Sequence, residues 1–534
     1  MPDTVADLLD EAAARFATRD ALRIGSRSIG YRELAQAADA LAKGLLAAGV
    51  RHGERVALLM GNRIEWVLAF HAVARIGAVL VPLSTRFKAE EARDILGRCK
   101  ASMLILNDHF ADIDFVRLFD EIAPGFRTSG HSAQLPALKI CVCLSPGGQV
   151  HAGLTDFASL HSGGAGLADG ALAAARAEVR PTDAFLIQYT SGTTGFPKGV
   201  VLSQRNFVRT GREVGIRQQL TDQERFFSPA PYFHVSGTMH ALIAPLAHGC
   251  TVHSVEKYEL EAVLDMICHH RCTVYHGFNF FKDYFARGQS FAGRYDLGVL
   301  QRAWTTGTAV DMANIGALGI RACNLYGLSE TTGCATICSA EEPEAVRTRT
   351  VGKPLPGVEI CIRDRDGSGR ELGPDEEGEI LIRGWNLASG YYDDPQETLA
   401  AFDSRGWFHS GDLGSLDADG RLRFLGRLKD IIRVGGENLS PLEVENLLRR
   451  HAEVADACVV GVPDERLGEV CMAFVQLRPG SSVPAAEIIS FCRERIASYK
   501  VPRHVHFVDS FPMTGNNKIR RVEVKELARR SAVV

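Results

Sequence analysis

Residues 54–83 read ERVALLMGNRIEWVLAFHAVARIGAVLVPL. ERVALLM (54–60) is a β-rich apolar run, and GAVLVPL (77–83) is a second. Between them Ile64, Val67, Leu68 and Ala72 share one face at helical spacing, which predicts an amphipathic helix. Strand, helix and strand in so short a stretch form a βαβ unit, and such units build parallel sheets covered by helices. The fold class that follows is α/β.

The alternation extends on both sides. YRELAQAADALAKGLLAAGV (31–50) predicts a further helix, stopped at Gly49. Residues 145–177 are rich in Gly, Ala and Ser and predict a surface excursion. The character of the chain changes near residues 426–430. Before them it turns often (LDADGRLRFLG, 416–426); after them comes IIRVGGENLSPLEVENLLRRH (431–451). There Ser440 is set as an N-cap, Pro441 as the first helical residue and Glu443 as the capping-box acid. VADACVVGV (454–462), EVCMAFVQL (469–477) and AEIISFCRERI (486–496) then suggest a small α+β unit. The expected architecture is a large, multi-subdomain N-terminal α/β body, a short hinge and a small, mobile α+β C-terminal domain.

Composition excludes several classes of function. The 534 residues exceed one compact unit. Sixty basic against 64 acidic residues leave a net charge of −4, without the basic footprint of a nucleic-acid binder. The first 25 residues are studded with Asp, Glu and Arg and lack the apolar block of a signal peptide. No run approaches the ~18 apolar residues of an integral membrane segment. Thirteen cysteines, odd in number and scattered, argue for reduced thiols. A soluble, cytoplasmic protein is expected.

The chemistry starts at LIQYTSGTTGFPKGV (186–200). An apolar strand feeds a loop of small residues closed by Lys198. Glycines at 192, 195 and 199 let backbone amides approach an anion, Thr190, Ser191, Thr193 and Thr194 add hydroxyls, and Lys198 adds charge. Such a nest suits polyphosphate. It is not the Walker loop, because Gly199 follows the lysine where that loop needs Ser or Thr.

Five segments together carry a resemblance: YTSGTTGFPKG (189–199), NLYGLSETTG (324–333), FHSGDLG (408–414), FLGRLKDIIRVGGENLSPLEVE (424–445) and PMTGNNKIRR (512–521). In this order and spacing the chain resembles the acid–thiol ligase branch of the AMP-forming adenylating superfamily, which includes acyl-CoA synthetases, luciferases and peptide-synthetase adenylation domains. The resemblance covers about residues 5–530 and implies a body at 1–426, a hinge at 427–430 and a C-terminal lid at 431–534.

The resemblance also implies roles. Thr190, Ser191, Gly192, Thr193, Thr194, Gly195 and Lys198 would hold the β- and γ-phosphates of ATP. Tyr326, with Gly327 after it, would stack on adenine beside the turn Gly307, Thr308 and Ala309. Asp412 and Arg427 would hold the ribose. Glu330 would position Mg2+, which takes hard oxygen ligands, and Thr331 would donate to the α-phosphate. Lys518, carried by the small domain, would bridge carboxylate and α-phosphate. Lys429 would be the pivot between two domain orientations. In the second of these Gly435, Gly436 and Glu437 would face CoA. His234, His276, Gly277 and Phe278 would line the acyl pocket. One departure from the pattern is Asn517, where relatives commonly place Gly before the lysine.

The implied reaction is ATP-dependent ligation of a carboxylic acid to CoA through an acyl-adenylate. HGFNFF (276–281) supplies apolar bulk, which favours a medium-chain fatty acid or a ring-bearing monocarboxylic acid. Other readings are loading of a carrier-protein thiol and a non-enzymatic nucleotide sensor; Lys518, Glu330 and Asp412 argue against the sensor. A homodimer is left open. CHHRC (268–272) offers four metal-ligand side chains but no second pair at zinc-site separation, so it reads as a helix end. Cys334 and Cys338 read as neighbours of the acyl pocket.

Overall fold

The computed structural model describes residues 3–168, 170–190, 197–277, 280–287, 291, 293–364, 369–434, 437–464, 466–513 and 518–531. The βαβ unit forms: strand Arg55–Leu59, helix Ile64–Arg75 and strand Val79–Pro82, with the strands parallel and Arg55 opposite Val79. Among the described residues they lie in a seven-stranded sheet bounded by Lys198–Ser203 and Thr155–Asp156. A nine-stranded sheet faces it. That sheet runs from Lys353–Pro354 through Arg321–Tyr326, Arg302–Thr305 and Val274–His276 to Asp20–Ile24 and Arg27–Gly30.

The helix Ile64–Arg75 corrects one expectation. All twelve of its residues are buried, so it has no solvent face. Phe70 meets Phe185 of the first sheet, and Trp66 meets Tyr232 beside the second, at 4.8 and 5.5 Å between ring centroids. A helix shared by two sheets is covered on both sides. Its one arginine, Arg75, is fully buried and answered by Asp10 at 2.7 Å and Asp39 at 2.6 Å. A buried cation needs such partners.

Residues 145–177 are more than an excursion. They hold the helix Phe157–Ser162 and all but the last residue of the helix Ala171–Glu178, whose Phe157, Leu160 and Leu172 join the core beside the helix Tyr31–Ala47. Gly44 makes that approach possible, since a Cβ there would lie 2.0 Å from the Leu160 carbonyl oxygen.

A four-stranded antiparallel sheet, Val358–Arg363 to Leu422–Arg427, ends the body. One helical turn, Leu428–Asp430, leads to Ile432–Val434, the first strand of the next sheet. The long hairpin Val454–Asp464 and Gly468–Leu477 dominates that sheet, with the helices Pro441–Leu448, Ala485–Arg493 and Arg521–Ser531 around it. Ser440 precedes the helix at Pro441, but its hydroxyl makes no cap. It donates instead to the Leu425 carbonyl of the body, and Glu443 pairs with Lys500 at 2.7 Å. The box signal in the sequence is thus spent on tertiary contacts.

Candidate active site

Strands Ala184–Thr190 and Lys198–Ser203 form an antiparallel hairpin that sets Thr190 opposite Lys198. Ser191, Gly192, Thr193, Thr194 and Gly195, at its tip, lie outside the described residues. The Lys198 ammonium pairs with Glu397 and sits 5.2 Å from the Tyr391 ring centroid. Tyr391 donates its hydroxyl to Glu330 at 2.9 Å. Lys198, Tyr391 and Glu330 thereby join this hairpin to the YGLSET segment.

That segment leaves strand Arg321–Tyr326 and turns tightly. Gly327 is required, because a Cβ there would lie 2.2 Å from the Gly333 carbonyl oxygen. Thr331 is fully buried; its hydroxyl donates to the Leu328 carbonyl at 3.0 Å and accepts from the Leu328 amide at 2.8 Å. Glu330 is half-buried, and its backbone carbonyl accepts from Ala388 at 2.8 Å. Tyr326 stacks one ring face on Phe424, at 5.6 Å and 27°, and donates to Asp412 at 2.7 Å.

Asp412 lies in strand Phe408–Leu416, in register with Arg427 on the next strand. Arg427 Nε is 2.9 Å from its Oδ1. Burial pushes the Asp412 carboxyl pKa up and outweighs Arg427, the Tyr326 hydroxyl and Lys518, which pull it down. Nearby, Asn324 grips Gly307, donating to its carbonyl at 2.8 Å and accepting from its amide at 3.3 Å. Thr308 caps the helix Ala309–Ala317 in a reciprocal box with Asp311.

Lys518 belongs to the small domain, yet it is close enough to Asp412, Arg427 and His234 to act on their charge. Its side chain keeps an accessible flank while its ammonium is desolvated. That desolvation and Arg427 lower its pKa, against Asp412. Lys429 stands exposed in the turn Leu428–Asp430. Gly435 and Gly436 lie outside the described residues. So do the Glu437 side chain, at the start of strand Glu437–Leu439, and Phe278 and Asn517.

Inward from Lys518 comes a run of histidines. His234 accepts at Nδ1 from the Ser236 amide at 3.3 Å. His240 bonds through Nε2 to the Gly333 carbonyl at 3.0 Å and accepts at Nδ1 from the Trp304 indole at 3.2 Å, which fixes its neutral tautomer. His276 stacks on His240 at 4.7 Å and 22°, near Trp304, and Gly277 follows it. Burial drives all three imidazole pKa values down, to about 4 for His234 and His240; Lys518 adds to it at His234, the neighbouring histidines add to it at His276, and the Gly333 carbonyl opposes it at His240. Sequence reasoning missed His240, Trp304, Tyr391 and Glu397. His240 sits in a π-helical turn, Ser236–Ile243, a feature that often marks a functional site and leaves no periodic signal in sequence.

These histidines make stability depend on pH. A folded-state pKa below the unfolded value means that the unfolded chain binds more protons as pH falls. The stability that His240 and His276 contribute is therefore whole above about pH 6.5 and is lost as pH falls below it, for His240 toward about pH 4. The expected slope is about 1.4 kcal/mol per pH unit for each imidazole. His240→Gln should flatten the fall of the urea midpoint between about pH 6.5 and about pH 5. Parallel curves for parent and variant would contradict this.

Comparison with known proteins completes the picture. The family model described as AMP-binding enzyme matches residues 9–392, and that of the AMP-binding enzyme C-terminal domain matches 443–518. A Mycobacterium tuberculosis ligase that joins CoA to a propanoyl group bearing a methyl-dioxo-octahydroindenyl ring system is 35% identical, over 98% of this chain and 99% of its own. A medium-chain fatty-acid–CoA ligase of Escherichia coli is 33% identical, over 94% of this chain and 86% of its own. The crystal structure of an anthranilate CoA ligase in complex with anthranoyl-AMP superposes with a TM-score of 0.86 at 26% identity, covering 100% of this chain and 99% of that one. The chain thus belongs to the AMP-binding enzyme family, as an AMP-forming acyl-CoA ligase that consumes ATP and CoA.

Proposed function

We propose that the residues gathered between the YGLSET turn, Asp412 and Lys518 carry out both half-reactions on a medium-chain or ring-bearing monocarboxylic acid. In the first, a carboxylate oxygen attacks the α-phosphorus of ATP and pyrophosphate leaves. The nucleophile is already an anion, so the need is for positioning and charge neutralisation more than for a base. Lys518 supplies a cation where carboxylate and α-phosphate meet. Asp412 and Arg427 hold the ribose, Tyr326 and the turn Gly307, Thr308 and Ala309 border the adenine, and Lys198 and Thr190 anchor the β- and γ-phosphates. The Thr331 hydroxyl reaches the α-phosphate by exchanging its bond to the Leu328 carbonyl for one to phosphate oxygen.

Glu330 fits a magnesium ion. Its carboxylate is a hard donor oriented by Tyr391, and no group of three His, Cys, Asp or Glu gathers into a cage among the described residues. Magnesium takes one or two protein carboxylates and leaves the other positions to water and phosphate. When bound, it neutralises phosphate charge. In the second half-reaction the CoA thiol attacks the acyl carbon of the adenylate, a C–S bond forms, and AMP leaves. We place the pivot for the intervening domain rotation at Lys429 and the CoA contact at Gly435, Gly436 and Glu437.

The acid class rests on one observation, the buried stack of His240 and His276 against Trp304 behind His234. Neutral aromatic walls favour hydrocarbon and rings, and they offer no cation for a second carboxylate, whose unpaired burial would be costly. The acids in the names of the two ligases above, a ring-bearing propanoate and medium-chain fatty acids, agree with this class. In a panel assayed for CoA-dependent AMP formation, octanoate or 3-cyclohexylpropanoate should exceed both acetate and a dicarboxylate of equal length by about a hundredfold in kcat/KM. Fastest turnover of acetate or of the dicarboxylate would refute the assignment.

A further inference from the structure

Away from Ser440 and Lys518, the small domain also meets the body through an ion pair. Lys282 lies on the body helix Phe280–Arg287, and its ammonium pairs with Asp456 on the small-domain strand Val454–Asp464. About half of Lys282 stays in solvent, whereas Asp456 is almost fully buried. The two oxygens of Asp456 are divided between the domains. Oδ1 accepts from Arg449 Nε at 2.9 Å and from the Ala457 amide at 2.9 Å, both within the small domain. Oδ2 is taken by Lys282 of the body. Arg449 also feels the charge of Asp311, the body residue that boxes Thr308 beside Gly307.

We propose that the Lys282–Asp456 pair is a latch selecting the orientation in which Lys518 reaches the nucleotide site. Lys282 is then a positioning residue for adenylate formation and not for thioester formation. The inference rests on the rotation about Lys429 proposed above. In that rotation Arg449 and Ala457 travel with Asp456, so the partners of Oδ1 are kept. Only the partner of Oδ2 is left behind. An interaction present in both orientations shifts no equilibrium, whereas one confined to a single orientation biases it by its full strength. The latch is modest because Lys282 is half-exposed, which suits a domain that must leave again.

The test separates the half-reactions, with octanoate or 3-cyclohexylpropanoate as the acid, whichever the parent turns over faster. Lys282→Glu sets a like charge against Asp456. It should slow acid-dependent ATP–pyrophosphate exchange about tenfold, equivalent to about 1.4 kcal/mol. Transfer of the acyl group from preformed adenylate to CoA should stay within about twofold of the parent or rise. Lys282→Arg keeps the charge and should restore exchange. Equal loss of both half-reactions, or loss of neither, overturns the latch. A parent that shows no acid-dependent exchange overturns the two-step site itself, whatever the variants do.

Discussion

Lys518→Ala should slow acid-dependent pyrophosphate exchange by about 10²- to 10³-fold. The folded protein holds this ammonium under strain of charge: desolvation and Arg427 disfavour it, and Asp412 favours it. A cation kept in place before the reaction needs no reorganisation when negative charge develops on the α-phosphate and carboxylate oxygens, and that is the source of the large effect. Thioester formation from preformed adenylate should fall far less, because in the proposed rotation Lys518 has left. The experiment is single-turnover measurement of each half-reaction with the same acid. Equal losses would make Lys518 a structural residue of the domain contact. The neighbouring Asp412→Ala should not imitate this split, since the ribose contact proposed for it would be used while nucleotide is bound at either stage.

Proline at position 429 is expected to have the opposite signature. The turn Leu428–Asp430 is 3-10 helical, and the φ of such a turn, about −50 to −70°, matches the value of about −65° that proline enforces. The observed orientation, with Lys518 near Asp412, is therefore compatible with Lys429→Pro. Proline pushes the preceding Leu428 toward extended angles, so a small loss of adenylate formation is part of the expectation. Any orientation that needs a different φ at 429 is closed. Adenylate should form within about threefold of the parental rate, while transfer to CoA falls at least about a hundredfold. Lys429→Ala should keep most of both activities, because the argument concerns the backbone. Parental transfer in the proline variant would move the pivot elsewhere.

What could be read from sequence was what is local. The βαβ unit shows in residues 54–83 because each partner lies within a few dozen residues of the next. The hairpin of Ala184–Thr190 and Lys198–Ser203 shows because its two strands are separated by only seven residues. The segments carrying Tyr326, Asp412, Arg427 and Lys518 are legible as motifs, and the structure gathers these four residues into one place. Long-range pairs left no such trace. Glu397 answers Lys198 from far along the chain, and Tyr391 reaches back to Glu330. His240 and His276 become a stack only after two distant segments meet. Ser440 and Glu443 were misread because a sequence cannot tell whether a hydroxyl will cap its own helix or reach the Leu425 carbonyl.

The strand Asp20–Ile24 carries a consequence for how the protein is made. It pairs in parallel with Thr251–Ser254, Leu22 lying opposite Val252, and is flanked on its other side by its own hairpin partner Arg27–Gly30. The ribosome must therefore deliver some 230 further residues before that strand finds its permanent neighbour, which takes about 10–50 s at ordinary translation rates. During this interval one edge of the nascent hairpin is open, and an open edge invites pairing with other chains. Loop closure over so long a span is also slow. The N-terminal segment is thus where nascent-chain chaperones would have most to protect, and the nine-stranded sheet is completed late in synthesis although the strands at one of its borders emerge first.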